Sequence, residues 1–275
     1  MSGLTAEQLE TYVNAGYLVI DDLFDPNALN PLIEEIDKDV YYWAKVYHEE
    51  RRLPETFSDE PFERRLRSIQ MAMDGFPELL GAVLGKRKTA AMFGVLTMPE
   101  ILDVVESVIG PDILVHPQFN SRAKMPDGSS VVGWHQDMGF LGEEVADTFM
   151  VNFWLPLVDS DRNNGCLEVI PGSHRSGLLP FDESPENIRA EAMPGDSPVC
   201  CPVSKGGVLM IQHRTVHRST PNYSDGIRWS LDVRYSPVGE PTGRPDVPGF
   251  VARSTSQPEL VCHSLEDWLA LFNYG

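Results

Sequence analysis

Cysteine is scarce in this sequence. Its 275 residues include four, Cys166, Cys200, Cys201 and Cys262, and no two of them stand in a C-x-x-C spacing. That removes the ligand pattern of a zinc knuckle. Cys200 and Cys201 are neighbours, and adjacent residues close a disulfide with each other only under strain. The pattern predicts a reduced, intracellular setting. Positive charge is also short: 22 Lys+Arg face 41 Asp+Glu, for a net charge of −19. A surface this acidic repels phosphate backbones and anionic headgroups, so nucleic acid and membrane are not expected partners. No apolar run approaches the roughly 18 residues that a membrane span requires. The opening MSGLTAEQLE lacks the basic and apolar regions of a secretory signal, and the expected location is the cytoplasm. Internal repeats, low-complexity tracts and a clear domain linker are absent as well.

What is present suits a globular fold, with 42% hydrophobic and 23% charged residues. The first 45 residues read as helical with one break. Thr5 and Gln8 form a capping-box pattern, and Gly16 is a stop. YLVI (17–20) reads as a short strand. Asp25-Pro26 opens a second helix, with Leu29, Leu32, Ile33, Ile36 and Val40 on one apolar face. Residues 46–75 show no clear period. Helical patterns return at 77–84 and 98–109, the latter capped by Thr97 with Glu100 and ended by Gly110-Pro111.

From about residue 113 the texture becomes β-like. Strands are expected at 113–119, 131–135, 148–157, 167–170, 208–212 and 228–235. In TFMVNFWL both faces are largely apolar, as for a strand between a helix layer and a barrel lumen. In RWSLDVRY the apolar Trp229, Leu231, Val233 and Tyr235 alternate with Ser230, Asp232 and Arg234. The proline-rich stretch 236–248 is a loop, and a short helix starts at Ser264 with Asp267 at its third position. Helices in front and strands behind predict one domain over 1–275. Its helical part covers about 1–112 and its β core about 113–236, with a C-terminal loop and helix over 237–275.

The chemistry concentrates in two segments. GWHQDMGF places His135 and Asp137 two apart, and on a strand i and i+2 point to the same face. An imidazole and a carboxylate then converge on one point. A further histidine would complete the 2-His-1-carboxylate set that holds non-haem Fe(II) with open positions. The second segment, QHRTVHRSTPNYSDGIRWSLDVRY, offers both His213 and His217 as that histidine. Its PNYSDG turn brings the chain back antiparallel, with Arg228 beside the strand end that holds His217 and Ser219. A guanidinium and a hydroxyl there make a pocket for a carboxylate. Asn120, Arg122 and Lys124 alternate on the preceding strand and share a face.

These residues resemble the phytanoyl-CoA dioxygenase family of Fe(II)/2-oxoglutarate oxygenases. The family pattern is an H-x-D, then an N-G…P-G-S-H segment, then a distal H-x-S with an arginine eleven residues after its histidine. Here the matches are His135-Gln136-Asp137, NNGCLEVIPGSH (163–174), His217-Arg218-Ser219 and Arg228, and LTAEQLETYVNAGYLVIDDLF resembles the family's opening. The resemblance covers residues 4–236. It implies a double-stranded β-helix, a cupin-like jelly-roll, with the N-terminal helices packed on one side. It implies iron at His135, Asp137 and His217, with His213 and His174 structural. It also implies 2-oxoglutarate at Arg228 and Ser219, with Asn120 and Lys124 as further contacts. Where many relatives carry a co-substrate threonine shortly after the N-G, this chain has Cys166 and Leu167. Trp134, Phe140, Trp154 and Trp229 are expected to pack rather than to bind.

The activity so implied is oxidation of a small organic molecule by O2, most simply hydroxylation, with release of succinate and CO2 and with ascorbate as reductant in vitro. Asp137 occupies the position that iron halogenases of this architecture leave to a small residue, so the expected product carries no halogen. Two rival readings are a non-catalytic module on a degenerate barrel and a zinc hydrolase. No metal ligand is lost, which argues against the first. The H-x-S and arginine element has no role in the second. Substrate identity and oligomeric state do not follow from the sequence.

Overall fold

The computed structural model describes residues 3–128, 131–145 and 147–272. Within these residues ten strands and seven α-helices follow one another with the helices mostly first. Helix α1 (Ala6–Ala15) starts in the expected capping box, Thr5 Oγ1 accepting from Gln8 N, and ends at Gly16 with φ 78°. Strand β1 (Tyr17–Ile20) follows directly. The Asp25-Pro26 start forms a 3-10 turn that runs into α2 (Asn30–Glu49). The stretch without a clear period contains α3 (Phe62–Ala72), and α4 (Pro77–Val83) lies where expected. Helix α5 (Ala90–Leu96) was not foreseen. Helix α6 (Pro99–Ile109) begins one residue later than the Thr97 cap requires: Met98 is the N-cap, and Pro99 supplies the first-turn geometry instead.

The remaining elements are β2 (Ile113–Val115), β3 (Asn120–Lys124), β4 (Val151–Pro156), β5 (Leu167–Val169), β6 (Val199–Cys201), β7 (Val208–Gln212), β8 (His217–Ser219), β9 (Arg228–Pro237), β10 (Phe250–Arg253) and α7 (Leu265–Ala270). Seven strands form one antiparallel sheet in the order β1-β7-β4-β9-β2-β10, with β3 also on β9; β6-β5-β8 form a second. Two boundaries differ from expectation. The β core is not confined to 113–236, because β1 pairs with β7 and β10 pairs with β2. The predicted strand at 131–135 reduces to a bridge at His135, which pairs with His217 and so continues the smaller sheet.

The alternation in the sequence decides what each sheet face meets. Val151, Phe153, Leu155, Trp229, Leu231, Val233 and Tyr235 turn outward from the large sheet into a cluster shared with helical residues such as Leu32, Ile36, Leu66 and Ile101. Phe62 of α3 stacks on Trp229 with ring centroids 4.9 Å apart. On the inner face Trp154, Leu209 and Ile211 meet Leu167, Val169, Cys201 and Val203 across the lumen. Helices thus close one face of the large sheet, and the two sheets seal one end of the jelly-roll. Polar residues collect on the inner face elsewhere, and that is where the site lies.

Candidate metal and co-substrate site

The backbone brings the two motifs together before any side chain acts. His135 N and His217 O, and His217 N and His135 O, are each 3.0 Å apart. Asp137 then leaves the extended path and opens a 3-10 turn over 137–140, which Met138 N anchors to His213 O at 3.1 Å. Gln136, the middle residue of the motif, fixes this turn from behind. Its amide donates to Arg214 O at 2.6 Å and Gly177 O at 2.8 Å, and its carbonyl accepts from Leu179 N at 2.8 Å.

The donor atoms of His135, Asp137 and His217 lie within 4.8 Å of one another, and all three residues are buried. Each imidazole is oriented by a backbone carbonyl, His135 Nδ1 against Gly133 O at 2.8 Å and His217 Nδ1 against Thr215 O at 2.9 Å. That bond requires the proton on Nδ1, so Nε2 of each ring carries the free lone pair, as a metal requires. Burial, then the neighbouring His217, pushes the His135 imidazole down to about 4, which keeps it in the neutral, ligating form. Asp137 is held from both sides. Arg234 Nη2 donates to its Oδ1 at 2.7 Å, and Asn152 Nδ2 donates to its Oδ2. Burial alone would raise this carboxyl, but Arg234 and then the two imidazoles hold it well below the usual carboxylate range. The set is therefore two imidazoles, each turned by its Nδ1 contact so that Nε2 faces inward, and one carboxylate, which fits a divalent iron.

A cavity of about 510 Å³ opens on these donors and runs to Arg228, Lys124 and Ser219. Lys124 stands opposite Arg228 in the β3–β9 register, and Lys124 Nζ donates to Ser219 Oγ at 3.0 Å. Arg228 is 3% exposed. Its Nη1 donates to Ser230 Oγ at 2.6 Å, its Nε finds no acceptor, and no carboxylate pairs with it among the described residues. Burial brings its guanidinium down to about 10, and burial and then Arg228 bring Lys124 down to about 8. Two cations in a closed pocket suit a carboxylate ligand. Gly165 of the N-G pair shapes this end. It has φ +91°, and a Cβ there would sit 2.5 Å from Lys124 Cδ and 2.7 Å from Thr220 O.

The other expected residues fall as follows. Asn120 lines the cavity, opposite Asp232 in the register. His213 stays outside the donor set, with its Nδ1 against the backbone of Met150. His174 ties Val13 O at the end of α1, a structural contact. Trp229 packs, Trp134 lies beneath the Arg218 guanidinium, and Phe140 and Trp154 line the cavity, Trp154 also packing in the inner core cluster. The sequence reading missed Arg234, Asn152 and Gln136. A signal existed for Arg234, since its spacing on β9 matches Arg228, Ser230 and Asp232. Nothing local indicates that it reaches Asp137.

Comparison with known proteins carries the same message. The family model of phytanoyl-CoA dioxygenase (PhyH) matches residues 12–230. The peroxisomal phytanoyl-CoA dioxygenase of Rattus norvegicus is 24% identical over 287 residues, spanning 99% of this chain and 77% of the relative. The ectoine dioxygenase of Bordetella bronchiseptica is 24% identical over 262 residues, spanning 85% of this chain and 75% of the relative. Among solved structures, the epimerase SnoN in complex with Fe3+, alpha-ketoglutarate and nogalamycin RO superposes with a TM-score of 0.60. It has 20% identity and 86% coverage of both chains. Since the family match covers well over half of the chain and every residue of the donor set, the chain belongs to the phytanoyl-CoA dioxygenase family.

Proposed function

We propose that this chain is an Fe(II)- and 2-oxoglutarate-dependent dioxygenase that hydroxylates a small organic molecule. In this reading His135, Asp137 and His217 hold the iron, and Arg228, Lys124 and Ser219 hold the far carboxylate of 2-oxoglutarate. The observation that carries it is one cavity joining an oriented His-Asp-His donor set to a buried arginine without a carboxylate partner. When bound, iron with 2-oxoglutarate and O2 supplies an oxidant able to remove hydrogen from a C–H bond, with loss of CO2 and formation of succinate.

The chain's own residues supply orientation and charge. Gly133 O and Thr215 O fix the two imidazoles, while Arg234 and Asn152 hold Asp137 in one pose. Arg228 and Lys124 attract the dianionic co-substrate into a chain whose net charge of −19 would otherwise repel it. Trp154 lies 5.0 Å below the Arg228 guanidinium and covers that end from water. Asn120, Arg122 and Asp232 line a further wall of the cavity, where substrate would lie. No described helix is long and apolar enough to cross a membrane, and we place the enzyme in the cytoplasm as a single domain.

The test is anaerobic. Adding 2-oxoglutarate to the Fe(II) protein should give the weak visible charge-transfer band of a chelated keto acid, and admitting O2 should release succinate. A protein that binds Fe(II) but gives neither band nor succinate would refute the assignment.

A further inference from the structure

The site leaves one cluster of thiols unused. Cys166, Cys200 and Cys201 gather in the smaller sheet, and Cys166 Sγ lies 2.8 Å from Cys200 Sγ. The register explains the proximity. Leu167 pairs with Cys201 and Glu168 with Cys200, so Cys166, immediately before β5, sits diagonally across from Cys200. Cys201 is held differently: its buried thiol turns to Val199 O. All four cysteines are free thiols.

The two sulfurs flank the stem of the β5–β6 connection, residues 170–198. This long loop packs on the residues around the metal ligands. Ile188 N donates to Trp134 O at 3.0 Å, and Leu179 N donates to Gln136 Oε1 at 2.8 Å. Leu178, Phe181 and Pro185 stand over Gly139, and Glu186 lines the cavity. At the other end of the stem, Cys166 O accepts from both N and Oγ1 of Thr220, the residue after Ser219. A bond between these sulfurs would close a covalent ring around the loop that covers the site.

We propose that Cys166 and Cys200 form a reversible disulfide that staples the stem of the 170–198 loop when the chain meets a hydroperoxide. Cys200 is half-buried and reacts first. Its sulfur attacks one peroxide oxygen, the O–O bond breaks, and water leaves behind a sulfenic acid. Cys166 sulfur then displaces hydroxide from Cys200 sulfur, and its proton completes the second water. Two thiols and one hydrogen peroxide thus give one disulfide and two waters. Burial, then the hydrogen bond to Cys200, raises the Cys166 thiol far above its ordinary value, which keeps it inert until its partner is oxidised. A small-molecule dithiol reverses the bond by exchange.

The experiment treats the full chain with one equivalent of hydrogen peroxide, then with dithiothreitol. Intact mass should fall by two hydrogens, and non-reducing peptide mapping should join Cys166 to Cys200. Hydrogen exchange at backbone amides of 170–198 should slow by at least about tenfold in the oxidised form and recover on reduction. C200S and C166S should each abolish the link, and C201S should retain it. A link between Cys200 and Cys201, a link between chains, or sulfinic acid alone would overturn the proposal. So would a Cys166–Cys200 bond that leaves exchange in the loop unchanged. Because no readout uses turnover, failure here is separate from failure of the proposed activity.

Discussion

Replacing Arg228 with alanine separates two effects that an ordinary buried arginine couples. The side chain is 3% exposed, and its one hydrogen bond is to Ser230 Oγ at 2.6 Å. Breaking a buried ion pair costs about 3–5 kcal/mol, because a charge is left behind. Among the described residues no carboxylate pairs with Arg228, so none is left behind. Truncation loses the packing against Trp154 and the Ser230 contact but also removes an uncompensated buried charge. The two offset, so the unfolding free energy of the apo protein should change by no more than about 1 kcal/mol. Binding should respond very differently. Loss of a charge-assisted, forked contact to a carboxylate is worth about 1.5–3 kcal/mol, or about 10- to 150-fold in the 2-oxoglutarate KM. Since the contact lies far from the reacting bond, kcat at saturating 2-oxoglutarate should fall much less. Arg228→Lys keeps the charge, loses the fork and should fall between the two. Urea unfolding of the apo protein and steady-state succinate release measure both arms. An unchanged KM, or a stability loss above about 3 kcal/mol, would mean that Arg228 is a structural residue.

Alanine at His135, Asp137 or His217 should abolish Fe(II) binding by calorimetry with the fold intact by circular dichroism. His213→Ala should keep the metal, and the reverse pattern at 213 and 217 would refute the assignment. Arg234→Leu leaves the Asp137 carboxylate buried without its cation. It should cost the apo protein about 3–5 kcal/mol and cost the Co(II)-loaded protein less, since the metal takes over the charge; equal losses would refute that role. Burial, as the largest cause, brings the His116, His135 and His213 imidazoles down to about 4, from 6.5. The unfolded chain therefore takes up protons first, and apo stability should fall as pH drops from about 6.5 toward 4, by about 1 kcal/mol per histidine at pH 5.5. A flat profile in urea titrations between pH 8 and 5.5 would contradict this. If Asp137 is the carboxylate ligand of the proposed iron site, it takes the position that a halide would need, and product formed in bromide buffer should gain oxygen from labelled O2. A bromine isotope pattern in the mass spectrum would reverse the reading.

Much of this protein is legible without coordinates because local physics already decides it. Thr5 with Gln8 and Ser264 with Asp267 satisfy helix-end donors within four residues, so those starts could be read directly. The period-two alternation in 228–235 separated two sets of side chains before any partner strand was known, and the fold turns the apolar set onto the helices. Other elements depend on contacts the sequence does not announce. Phe250 and Val251 fall in the C-terminal loop and helix expected over 237–275, yet they pair with β2, because the edge of the large sheet offers unpaired backbone groups there. Helices α3 and α5 depend on tertiary contacts, burial of Leu66, Ile69, Met92 and Leu96 in the shared core and the Arg65–Asp37 pair to α2.

The site divides along the same line. The motif spacings alone singled out His135, Asp137, Ser219 and Arg228 and left His213 and His217 both open, since a metal and a dicarboxylate require particular groups at particular intervals. Choosing His217 over His213 required the family resemblance, and the fold gives the physical reason. The backbone pairing of His135 with His217 turns both rings to one point, while His213 lends only its carbonyl to the turn that carries Asp137. Arg234 and Asn152 belong wholly to tertiary structure. They are 82 residues apart in the chain and directly opposite in the β4–β9 register, and together they grip both oxygens of a carboxylate that lies on neither strand. No local pattern encodes that meeting, because it depends on how a twisted ten-residue strand and a 3-10 turn approach each other across the lumen.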